Sequence, residues 1–167
     1  MRTYMVIPTY WTGPNSEWEK GDKVFDHATP VSEDGTLIRT LESLHILEDK
    51  EYTIIIIAVA TNKKFEKPMR TKLEEMLSKA DIPVDTILFT ESSLTNLKKE
   101  LYKDYSGNDV LSLDNYAQIR NMCIFIPYIL DAEIALLIDD DEIFEDPKFV
   151  TKAKEFIGKR FYGNTID

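Results

Sequence analysis

The chain has 167 residues, 43% of them apolar and 30% charged, which suits one domain folded around its own core. Thirty Asp and Glu against twenty Lys and Arg give a formal charge of −10. That charge argues against nucleic-acid backbones as partners, while a small phosphorylated ligand remains admissible if a divalent cation bridges it to carboxylates.

The longest apolar runs, residues 54–60 and 123–130, fall well short of the roughly 20 residues that span a bilayer. The N-terminus has no basic stretch followed by an apolar one. The expectation is a cytoplasmic protein without an integral membrane segment, and nothing in the sequence sets its oligomeric state. The single cysteine, Cys123, lies in an apolar stretch and reads as a core thiol, outside any disulfide framework or zinc spacing.

In chain order, short β-rich runs alternate with amphipathic segments, the pattern of a three-layer α/β/α domain with a mostly parallel sheet. Residues 3–8 (TYMVIP) form the first predicted strand, ended by Pro8. Residues 9–33 read as a long polar connection containing Gly13, Pro14, Gly21 and Pro30. A helix follows from Gly35, with Leu37, Ile38, Leu41, Leu44 and Leu47 at helical spacing and Ser32 or Asp34 as N-cap. Residues 52–60 (YTIIIIAVA) read as a central strand buried on both faces.

Residues 68–80 form a charged amphipathic helix with Met69, Leu73, Met76 and Leu77 on one side. Residues 84–89 give a third strand, and Ser92 or Ser93 caps a helix ending near Tyr105. Residues 106–109 (SGND) are a turn by composition. Ser112 or Asp114 then caps a helix that runs through Arg120 to about Leu130, with Pro127 kinking it or ending it early. Residues 134–138 (IALLI) read as another buried strand, and residues 147–157 as a last helix. No internal repeat or low-complexity segment appears.

The chemistry-bearing feature is that last apolar strand followed at once by Asp139-Asp140-Asp141-Glu142. Ligands of open α/β sheets bind outside the carboxyl ends of the strands, where this cluster falls. Extended backbone sends alternate side chains to opposite sides, so Asp139 and Asp141 are expected on one side and Asp140 on the other. Two carboxylates together suit Mn²⁺ or Mg²⁺, hard ions that take one or two carboxylates and complete their shell with water and substrate phosphates. The plainer alternative is a solvated acidic turn leading into the last helix, with Asp146 as its cap. The apolar strand and the Arg120-Asn121 pair on the preceding helix favour the cation site, since a bound cation relieves the repulsion among clustered carboxylates.

Taken together, Val6-Ile7-Pro8-Thr9-Tyr10, Gln118-Ile119-Arg120-Asn121 and Leu137-Ile138-Asp139-Asp140-Asp141 make the chain resemble family 2 glycosyltransferases of the GT-A fold. There, a first strand ending in a V-I-P-T-Y type motif, an Arg-Asn pair on a helix and a D-x-D strand end occur in this order. The resemblance covers nearly the whole chain. It implies a nucleotide-sugar donor, an unidentified acceptor and a divalent metal. Pro8, Thr9 and Tyr10 would line the nucleobase pocket, Asp140 or Asp139 would contact ribose, and Asp141 would bind the metal bridging the diphosphate. Arg120 would approach the nucleotide from its helix.

The chain departs from the family pattern in three places. Where a D-D-x-S segment usually reads the base, it has Val59-Ala60-Thr61-Asn62, leaving Thr61 and Asn62 to offer hydrogen bonds. Its first loop is longer and carries Trp11, Trp18, Phe25, Asp26 and His27, which either cover the ligand or pin a surface loop. The acceptor-binding region with its general base does not follow Asp141 here, and Glu142 and Glu145 fit supporting or surface positions better. The expectation is therefore a single donor-binding domain over residues 1–167, cut before the acceptor-binding part.

Competing readings are weaker. A sugar nucleotidyltransferase calls for a Gly-rich basic loop, yet residues 8–14 contain only Gly13 and no Lys or Arg. A phosphotransfer domain needs a separate acceptor Asp and a later Lys. There is no Walker lysine and no GxGxxG, Ser43, Ser92 and Ser93 lack nucleophile-elbow glycines, and the two histidines, His27 and His45, stand far apart. A noncatalytic α/β binding module with an incidental acidic cluster remains the reading from a different class.

Overall fold

Strand β1 (Thr3–Thr12) is the centre of the structure, a computed structural model describing residues 1–14, 22–101, 111–155 and 157. Its neighbours are β2 (Thr29–Pro30), β3 (Thr53–Ala60), β4 (Thr86–Phe89) and β5 (Ile134–Leu137). The helices are α1 (Leu37–Ser43), α2 (Glu66–Lys79), α3 (Glu91–Leu101), α4 (Tyr116–Ile129) and α5 (Phe149–Glu155), with 3₁₀ turns at Leu44–Ile46 and Lys63–Phe65. All four strand pairings are parallel. One edge of β1 carries β3 and then β4, while its other edge is shared by β5 against Thr3 to Val6 and β2 against Trp11 and Thr12. Among the described residues no helix is long and apolar enough to cross a membrane.

The three layers follow from side-chain alternation along β1 and β3. Met5, Ile7 and Trp11 with Ile54, Ile56 and Ala58 pack against Leu37 and Leu41 of α1, Met69 and Leu73 of α2, and Val150 of α5. Val6 and Tyr10 with Ile55, Ile57 and Val59 face Leu94 of α3 and Ile119, Met122, Cys123 and Ile126 of α4. Strand β3 is buried on both faces over seven of its eight residues, which explains its unbroken apolar run.

Pro8 does not end the first strand. Backbone bonds from Ile138 N–H to Val6 O (3.0 Å) and Val31 N–H to Thr12 O (3.1 Å) turn the even-numbered peptide groups of β1 toward the β5/β2 edge. The bond from Thr61 N–H to Trp11 O (2.8 Å) turns the odd ones toward β3. Pro8 thus lies on the side where β5 has already ended and β2 has not begun, and its missing N–H costs no ladder bond. The expected polar connection shortens accordingly, since Trp11 belongs to β1 and is fully buried, and β2 falls within the same stretch.

Strand β5 is also less buried than its apolar sequence implies. Ile134 is buried, Leu136 half-buried, and Ala135 and Leu137 are exposed; β5 pairs with β1 on one side and with no strand on the other among the described residues.

Helix starts differ from the expected caps. Thr36 precedes α1 without a side-chain cap bond, because Ser32 donates to Pro14 O (2.7 Å) and Asp34 accepts from Lys72 (2.6 Å). Asn115, not Ser112 or Asp114, caps α4 by accepting from Gln118 N–H. Pro127 lies inside α4, which continues to Ile129. Ser93 does reach back to the N–H of Thr90 ahead of α3 (3.2 Å), half of a capping box. Asp146 accepts from Lys148 N–H ahead of α5 (3.0 Å). Trp18, Gly21, Tyr105, the turn at residues 106–109 and residues 158–167 lie outside the described residues.

Candidate functional site

The sheet grows from β1 through β3 to β4 and then returns to the other edge of β1 with β5. The reversal of strand order, where open α/β sheets form their ligand crevice, therefore falls between β1 and β5. On that edge, from Pro8 to Tyr10, neither β5 nor β2 pairs with β1. The turn at Asp139, Asp140 and Asp141 occupies this gap.

Two anchors fix the turn. Thr9, fully buried, donates to Asp140 Oδ2 (2.5 Å) and accepts from Trp11 Nε1 (3.0 Å). From α1, Thr40 donates to the Asp140 carbonyl (2.8 Å), and Ser43 accepts from Phe144 N–H (3.1 Å) while donating to Thr40 O (2.7 Å). Burial, joined by the neighbouring charges of Asp141 and Asp139, raises the Asp140 carboxyl above its ordinary value, against the lowering effect of the Thr9 bond.

The expected alternation holds only as far as Asp140. Asp140 turns inward while Asp139 is exposed and faces α4, but the backbone then bends, with Glu142 N–H donating to Asp139 O (3.3 Å). Strand alternation therefore does not set the direction of Asp141, which is exposed.

Arg120 on α4 donates to Asp139 Oδ1 (2.7 Å) and to Tyr116 Oη (2.6 Å), with its guanidinium carbon 5.0 Å from the centre of the Tyr116 ring. The Tyr116 hydrogen bond first, and the Asp139 carboxylate with it, hold Arg120 firmly protonated. Tyr10 packs between Phe25 (4.7 Å between ring centres) and Tyr116 (6.1 Å). Its hydroxyl is buried with no hydrogen-bond partner among the described residues, and its pKa is raised, chiefly by burial. Tyr52, at the opposite end of the sheet, has the same unpaired hydroxyl. Cys123 is buried on α4, and burial pushes its thiol up to about 11, so it is unsuited to nucleophilic work.

The remaining expected residues lie apart from the acids. Thr61 is fully buried and shares a hydrogen bond with Thr12 (3.3 Å). Asn62 caps the turn at Lys64 N–H (3.2 Å) and donates to Asp22 (2.7 Å). Next to them, at the carboxyl end of β3, is a cavity of about 460 Å³ whose lining includes Val59, Ala60, Lys63, Glu66, Glu91 and Leu113.

Sequence reasoning missed the members of the site that touch the acids from a distance. Thr40 reaches Asp140 across 100 residues, and no local pattern announces that. Tyr116 was within reach, because it lies four residues before Arg120 on the same helix.

Among the described residues no three His, Cys, Asp or Glu side chains converge into a ready-made cation cage. Asp141, exposed and without a hydrogen bond or ion pair among the described residues, and the Asp139 oxygen not held by Arg120 are the available donors. Such a set fits a hard divalent ion completed by phosphate oxygens and water, and does not fit a purely structural ion. Comparison of the chain with family models, curated proteins and solved structures found no match.

Proposed function

We propose that the chain binds a nucleoside-diphosphate sugar and is the donor-binding part of a divalent-metal-dependent glycosyltransferase. The observation that carries this reading is the position of the acidic turn at the reversal of strand order, where Asp140 is bonded to Thr9 in the unpaired gap of β1 and Asp139 is paired with Arg120. Strands lie about 4.8 Å apart, so the end of β3 stands about 10 Å from the acids. An extended nucleoside diphosphate reaches across that distance, with its diphosphate at Asp139 and Asp141 and its base at the cavity beside β3.

Within this arrangement each group has a distinct task. Thr9 and Thr40 hold the acidic turn in one geometry, so little reorganisation accompanies binding. Arg120, oriented by Tyr116, offers its remaining N–H groups to phosphate oxygens, a role suited to the planar guanidinium. The buried Tyr10 hydroxyl, lacking a partner, is a hydrogen-bonding group beside the same gap. Mn²⁺ or Mg²⁺ held by Asp141 and Asp139 would neutralise charge on the departing diphosphate.

Calorimetric titration with UDP and GDP in Mn²⁺ or Mg²⁺ tests this reading. Binding that weakens at least tenfold in Asp141→Ala, with the fold intact by circular dichroism, is the expected result. Equal affinity in the variant would remove it.

A noncatalytic binding module is the second reading. The mutual satisfaction of Arg120 and Asp139 favours it, since a structural ion pair needs no ligand. Metal-dependent nucleotide binding separates the two.

A further inference from the structure

Helix α4 is apolar on both of its faces. Ile119, Met122, Cys123 and Ile126 face the sheet. On the opposite side Ala117, Asn121, Ile124 and Tyr128 form an outward stripe, with Tyr128 75% and Ile124 61% exposed. Arg120 is the one charged residue among the 14 of α4, whereas α2, of equal length, carries seven. The outward face of a surface helix is ordinarily charged, and a helix that is apolar all round is ordinarily covered on both sides. Beside the stripe is a hollow lined by Leu111, Met122 and Phe125 together with Asn121, Ile124 and Tyr128.

Charge and spacing both point to a second copy of this chain as the cover. With a net charge of −10, two copies repel each other wherever their acids meet. The outward stripe of α4 holds no acid, and Arg120 beside it is paired with Asp139 (2.7 Å). The acids at the two ends of the helix are each matched by a cation, Asp114 by Lys23 (3.0 Å) and Asp131 by Arg2 (3.4 Å). Along the stripe the residues stand four, three and four positions apart, the spacing of a seam between two packed helices. An antiparallel pair centred between Asn121 and Ile124 sets Ala117 of one copy opposite Tyr128 of the other, and Asn121 opposite Ile124. The largest side chain of the stripe then meets the smallest. A parallel pair would instead set Tyr128 against Tyr128 and Ala117 against Ala117, and would align the two helix dipoles rather than oppose them.

We infer that the outward face of α4 is the contact of a two-fold homodimer, in which the helix packs antiparallel against its own copy. Such a contact is isologous, each residue meeting its counterpart twice. Ile124 of each copy, opposite Asn121, enters the hollow beside that residue on the other. The two Asn121 amides flank the axis, and a polar position within an apolar seam fixes its register. The seam is about 21 Å long and belongs to the smaller class of specific interfaces. The dimer therefore forms and dissociates with concentration.

Sedimentation velocity of the full chain from about 1 µM to about 1 mM tests the inference. The average mass is expected to rise from monomer toward dimer across that range. Ile124→Glu, at an exposed position where the fold tolerates a charge, should weaken dimerisation at least about tenfold and leave the circular dichroism spectrum unchanged. Ala117→Lys and Tyr128→Glu should each weaken self-association. An equimolar mixture of those two variants should recover a heterodimer, because position 117 of one copy faces position 128 of the other and the new charges are opposite. A chain that stays monomeric throughout, or that dimerises equally well as Ile124→Glu, would overturn the inference. Absence of recovery in the mixture would overturn the antiparallel pairing.

Discussion

Thr9 connects the core to the acidic turn, because its hydroxyl serves Trp11 and Asp140 at once. Thr9→Val keeps the shape but leaves an indole N–H and a partly buried carboxylate without their partner, an arrangement more costly than the loss of one ordinary hydrogen bond. Chemical denaturation is expected to show a loss of about 2–3 kcal/mol, and a loss below about 0.5 kcal/mol would mean that the pairing does not hold the turn. Cys123 gives a second residue-level prediction. Its thiol, raised to about 11 by burial on α4, should stay unreactive toward a thiol reagent at pH 8 in the folded chain and react fully in denaturant. Rapid labelling of the folded chain would contradict its placement. The aspartates were legible because they abut an apolar run, whereas Thr9's partner stands 131 residues away and only the folded chain reveals it.

At the scale of elements, local patterns identified β3 and α2, whose environments are uniform along their length. They misjudged β1 and β5 because the deciding facts lie on neighbouring strands. Whether Pro8 breaks a strand depends on which strand would have accepted its N–H. Whether an apolar run is buried depends on what covers its second edge. The short helix α5 depends on similar remote support: Lys154 donates to Asp49 (2.8 Å) across the sheet's flank, with both side chains largely buried. Burial alone would raise the Asp49 carboxyl, but the Lys154 hydrogen bond, the Glu51 backbone N–H and the Lys154 charge together hold it below its usual range. A carboxyl lowered in the folded state contributes stability that is complete above its unfolded value near 3.9 and is lost as pH falls through its folded value. Lys154→Met should therefore cost about 1–3 kcal/mol at pH 7, and the difference from the parent should shrink below about pH 4. A difference independent of pH would locate the effect in packing instead.

For the molecule as a whole, alternation of strand and helix made the parallel α/β architecture legible, but not the reversal of strand order that brings residues 9, 40, 120 and 140 together. The edge of β1 between β5 and β2 gives the acids their position, and β3, continuing past its last pairing with β4, gives the cavity its shape. Neither feature has a signature in residue order. In the proposed function the acids act through a divalent cation, in a chain whose charge of −10 otherwise repels a diphosphate. The most direct measurement is calorimetric titration of the unaltered chain with GDP and UDP, first in Mn²⁺ and then with the cation chelated. Binding that is present with Mn²⁺ and weaker by at least about tenfold without it is the predicted result. Binding of equal strength in both conditions, or none in either, would contradict the account.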